Sequence, residues 1–97
     1  MILTKEEKQT CLNIIEAYGQ LSDKLAKLKK SLIEIKSNLT SDRIQEYLDL
    51  KKESDETLEK LNTIMQADKD MEDFLMKKYP ELNANNLRLE LYEHLSY

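Results

Sequence analysis

Residues 4–39 read TKEEKQTCLNIIEAYGQLSDKLAKLKKSLIEIKSNL, and this stretch decides the fold. Thr4 and Glu7 stand at the spacing of a capping box, in which each side chain reaches the other residue's backbone amide. The box predicts a helix start at Lys5. Apolar residues then recur at Cys11, Ile14, Tyr18, Leu21, Leu25, Leu28, Leu32, Ile35 and Leu39. The steps alternate three and four, the pattern of a helix that packs lengthwise against another. A helix from about 5 to 39 would be about 50 Å long.

A second stripe runs beside this seam through Leu12, Ile15, Gly19, Ser22, Ala26 and Ile33. It is apolar at its ends and small in the middle. Glycine inside a helix costs about 1 kcal/mol relative to alanine, and close approach of another backbone is one reason to bear that cost. Leu12, Ile15, Gly19, Ser22 and Ala26 are therefore candidate interface residues, with Tyr92 and Leu95 added from the C-terminal segment.

Asn38-Leu39-Thr40-Ser41-Asp42 is the first clear interruption. Ser41 or Thr40 is the expected N-cap of a second helix over about 42–78. Its seam is Tyr47, Leu50, Ser54, Thr57, Leu61, Ile64, Asp68, Met71 and Leu75, with Ile44, Leu48, Leu58 and Met65 beside it. A short connection makes the two helices antiparallel neighbours, pairing residues whose numbers sum to about 80. That register brings Lys24, Lys27, Lys29 and Lys30 toward Glu53, Asp55 and Glu56, and Lys5 and Lys8 toward Glu72 and Asp73. Leu25 and Leu28 then oppose the smaller Ser54 and Thr57. Asp68 breaks the seam, because an unpaired charge is costly in an apolar interface. One continuous helix is favoured over a break there.

Pro80 bars further helix. Leu87, Leu91 and Leu95 predict a short third helix over about 86–95, capped by Asn85 or Asn86. It is expected to fold back on the open end of the hairpin near Ile2, Leu3 and Leu12. The expected fold is all-α: a long antiparallel helical hairpin (about 5–39 and 42–78) and a short C-terminal helix. Residues 1–97 form one domain in this reading, completed into a bundle by self-association, because a two-helix hairpin buries little apolar surface.

Composition narrows the function. Of 97 residues, 35% are charged and the formal net charge is −4. Residues 1–50 balance eight basic against eight acidic side chains, whereas residues 51–97 hold seven against eleven. An acidic chain is a poor ligand for nucleic acid. No segment reads as a signal peptide or membrane span, so a cytoplasmic location is expected. Cys11 is the single cysteine, which excludes an intramolecular disulfide, and its place on the seam makes it a small buried hydrophobe. His94 is the single histidine and reads as a surface residue. Asp68, Asp70, Glu72 and Asp73 lack the spacing and glycine of a calcium loop. No catalytic, cofactor or metal residues are assigned.

The expected function is a non-enzymatic helical module acting through protein–protein contacts, with itself and with another protein. One alternative is a small inhibitor or regulator of the kind that phages and mobile elements carry. It would bind a basic partner through Glu53, Asp55 and Glu56. Another is a helical oligomer that sequesters a small ligand near Gly19 and Lys24.

Overall fold

The computed structural model describes residues 2–95, with side chains described through Leu91. Its elements are α1 (Lys5–Ser37), a 3-10 turn (Ser41–Arg43), α2 (Ile44–Lys78) and α3 (Ala84–Leu95), with no strand among the described residues.

Helix α1 starts at the capping box. The Thr4 amide donates to Glu7 Oε1 at 2.9 Å and the Glu7 amide donates to Thr4 Oγ1 at 3.1 Å. A cap of this kind contributes about 1 kcal/mol. Helix α1 ends at Ser37, two residues short of the expected Leu39. The Ser37 hydroxyl donates to the Glu34 carbonyl at 2.7 Å, and the Asn38 amide turns back to the Ile35 carbonyl at 3.2 Å. Thr40 caps the 3-10 turn in an extended conformation without a side-chain cap bond. Its hydroxyl donates instead to Asp42 Oδ1 at 2.6 Å, which lowers the Asp42 pKa. Ser41 belongs to the turn and is not the N-cap.

Helix α2 is continuous through Asp68. Asp68 is exposed and the neighbouring Ala67 is half-buried, so the inward position falls to Ala67 and the charge meets water at the edge of the seam. Helix α3 begins earlier than expected. The Asn83 side chain accepts the Asn86 amide at 3.0 Å, so Asn83 is the cap rather than Asn85 or Asn86, and the carboxamide of Asn86 is spent on the Glu81 carbonyl at 3.2 Å.

The chain forms two compact units. One contains residues 18–63, the hairpin around the turn. Its buried residues are Leu25, Leu28, Ile35 and Leu61 with the polar Ser54 and Thr57. Leu25, Leu28 and Ile35 of α1 share this buried layer with the smaller Ser54 and Thr57 of α2. The Thr57 hydroxyl is satisfied by the Glu53 carbonyl at 2.8 Å, and Lys24 meets Glu53 at 3.4 Å. This pair is half-exposed, so it speaks for register more than for stability.

The other unit holds the residues up to Ala17 and those from Ile64 onward. Leu3, Cys11, Leu75 and Leu82 form its buried cluster, with Ile2, Met71, Tyr79, Leu87 and Leu91 packed against it. Helix α3 therefore docks on its own chain. Leu87 and Leu91 face inward, as their spacing required, while the alternating Leu89 points out.

Candidate interaction surface

Among the described residues no buried side-chain nitrogen or oxygen lacks a hydrogen-bond partner. Glu7 is buried. Besides its cap bond it accepts Lys78 Nζ at 2.8 Å and the Tyr79 hydroxyl at 2.7 Å. The Lys78 ammonium, aided by the Thr4 and Tyr79 bonds, outweighs burial and holds the Glu7 carboxyl at a pKa of about 2, against an ordinary 4.5. A carboxylate so engaged is not a proton acceptor near neutral pH. The same contact raises the pKa of Lys78 and of Tyr79. Glu7 thus ties the start of α1 to the end of α2.

This linkage makes stability depend on acid. A carboxyl with a depressed folded pKa contributes its full stability above its unfolded pKa of 4.5 and loses it as pH falls toward about 2. Lys78 is half-exposed, so solvent screens part of the effect, and the contribution is about 2 kcal/mol. Urea unfolding of the protein and of Glu7→Gln is expected to show a gap of this size at neutral pH that closes below pH 4.5. A gap unchanged down to pH 2 would contradict the assignment.

Cys11 sits beside a small cavity of about 30 Å³, lined also by Ile15, Asp68, Met71, Leu87 and Leu91. Burial pushes the Cys11 thiol pKa up, and the charges of Asp68 and Glu7 add to this. A buried thiol held protonated is a poor nucleophile. Among the described residues no group of three or more His, Cys, Asp and Glu side chains could hold a metal ion. Among those residues, too, no helix is long and apolar enough to cross a membrane.

Apolar surface is the more informative feature. Ile15, Tyr18, Ile33, Leu39, Ile44, Leu48, Leu58, Met65, Phe74 and Leu89 are all exposed. Along α1, the interface candidates Leu12 and Ser22 are half-buried, while Ile15, Gly19 and Ala26 are exposed. A Cβ added at Gly19 would meet nothing within 4 Å. Among the described residues, none outside its own helical turn packs on Gly19, which leaves that face open. The side chains of Tyr92, His94 and Leu95 lie outside the described residues.

Of the acidic candidates, Glu53 and Glu56 stand three apart on α2 and share a side, whereas Asp55 lies off it. Glu53 is engaged with Lys24. Asp55 lines a groove of about 330 Å³ with Lys29, Leu32, Ile33, Lys36, Tyr47, Lys51 and Ser54, and Glu56 is exposed elsewhere on α2. The periodicity had not pointed to this groove. Its signal was present in the seven-residue step from Lys29 to Lys36 beside Ile33. Glu90, which binds two backbone amides from the start of the chain, was equally hidden.

No protein-family model, curated protein or solved structure matches the chain.

Proposed function

We propose that this protein is a non-enzymatic helical interaction module that self-associates through α1. One observation carries the reading: among the described residues, the exposed large hydrophobic side chains outnumber the buried hydrophobic ones. Single exposed apolar residues are ordinary, whereas neighbouring ones form contact surfaces, and Ile15 and Tyr18 stand together on α1 beside Gly19. The residue 18–63 unit is thin, with two polar residues in its buried layer, and gains most from a further helix packed against it. The open face at Gly19 supplies a place where a second α1 fits closely.

Size-exclusion chromatography with light scattering is expected to give a dimer or higher oligomer at micromolar concentration; a strict monomer overturns self-association. Gly19→Ala separates the two sides of the question. Within the chain the added methyl meets nothing, so helix propensity alone stabilises the fold by up to about 1 kcal/mol. In an assembly packed at Gly19 the same methyl enters the contact and shifts the species toward monomer. A variant that is more stable and still fully assembled removes Gly19 from the interface.

A further inference from the structure

The groove between α1 and α2 in the 18–63 unit has a composition unlike the rest of this acidic chain. Its floor is Leu32 and Tyr47, and Ile33 on its wall is 70% exposed. Lys29 and Lys36 stand on the α1 rim and Lys51 on the α2 rim, with Asp55 the one carboxylate among the lining residues. None of these three lysines is in an ion pair among the described residues, whereas Lys24 on the same helix is held by Glu53. The groove therefore joins an apolar floor to two unbalanced positive charges.

We propose that this groove is the docking site for an acidic amphipathic helix of a partner protein. This rests on reading the chain as an interaction module and adds the chemistry of the partner. Lys29 and Lys36 are seven residues apart, so they lie on one side of α1 about 10 Å apart along its axis. A helix laid in the groove repeats its own faces at the same interval, which lets carboxylates one heptad apart meet both lysines while its apolar stripe covers Ile33 and Tyr47. A second copy presenting the same groove would set three lysines against three, a like-charge contact that disfavours it. Polyanionic surfaces fit poorly for a different reason. Glu46, Asp49, Glu53, Glu56 and Glu59 follow one another along α2, and the chain carries −4 overall, which repels an extended sheet of phosphates. A short acidic segment engages the local positive charge without meeting that field.

Fluorescence anisotropy with a labelled synthetic helix tests this, its leucines on one face and its glutamates flanking them. The protein is expected to bind it at low salt and to bind more weakly its counterpart with lysines for glutamates. Combined Lys29→Glu, Lys36→Glu and Lys51→Glu should weaken binding roughly tenfold or more, whereas Lys27→Glu with Lys30→Glu, elsewhere on α1, should change it by less than about twofold. Equal binding by the triple variant overturns the proposal. So does failure to bind the acidic helix, or tighter binding to phosphatidylglycerol vesicles or single-stranded DNA. If circular dichroism shows the triple variant to be unfolded, Lys51→Gln carries the test: a loss of about threefold supports the groove and unchanged affinity overturns it. Light scattering on the same samples separates this from self-association. A monomer that binds the acidic helix leaves the groove standing, and an oligomer that ignores it removes the groove alone.

Discussion

Leu75→Ala is expected to cost about 3–4 kcal/mol, the largest effect of any single truncation in this chain. Leu75 has 0% exposure and lies in the cluster with Leu3, Cys11 and Leu82. The cluster draws on the N-terminal segment, α1, α2 and the segment before α3. A cavity at its centre is therefore felt by all of them. The cost combines lost transfer free energy with the cavity left behind. For a domain of this size the total stability is about 5–10 kcal/mol, so the variant should be partly unfolded at physiological temperature. Urea denaturation followed by circular dichroism measures the difference. Leu89→Ala is the control: Leu89 is exposed, and its truncation should stay within about 0.5 kcal/mol. Equal effects of the two substitutions would refute the assigned core.

Glu90→Ala is expected to cost about 2–3 kcal/mol and to release α3 from the start of the chain. The Glu90 carboxylate is buried at 7% exposure. It accepts the Leu3 amide at 2.9 Å and the Ile2 amide through its other oxygen. Both are charge-assisted bonds, and truncation leaves the buried Leu3 without its acceptor. Because Leu3 is also a core residue, loss of this clamp loosens the seat of Leu87 and Leu91. Hydrogen exchange should show faster exchange at Leu3 and throughout α3, with residues 18–63 little changed. Glu90→Gln keeps one acceptor oxygen but turns an N–H₂ toward the other amide, so it should fall between the two. Undiminished protection of α3 in Glu90→Ala would show that apolar packing alone holds the helix.

These two residues differ in how readily they are read from sequence. Leu75 ends a seam that can be followed from Tyr47, and Thr4 with Glu7 announces the start of α1. Such features depend on neighbours three or four positions away, which the helix itself brings together. Glu90 belongs to no such pattern. Its partners lie 87 and 88 positions away, and nothing in Leu89-Glu90-Leu91 separates a buried carboxylate from a solvated one. Glu7 is legible as a cap, yet its bonds to Lys78 and Tyr79 are not. Asp68 shows the reverse case, where the seam predicted a buried charge and a small shift of the inward position to Ala67 relieved it. Asp55 parts from Glu53 because residues two apart on a helix point in different directions, whereas Glu53 and Glu56, three apart, remain neighbours.

By itself the sequence determined the helices, their approximate ends, the antiparallel register and the inward faces of the hairpin. Each follows from periodicity and local hydrogen bonding, which act over a few residues. Tertiary structure alone decided that α3 docks in cis through Glu90 and that Glu7 is a three-way junction. It also left Gly19 facing open space and gathered three lysines, unpaired among the described residues, around an apolar groove. Those features arise from residues distant in the chain, and their energies depend on burial and on partners that no local pattern specifies.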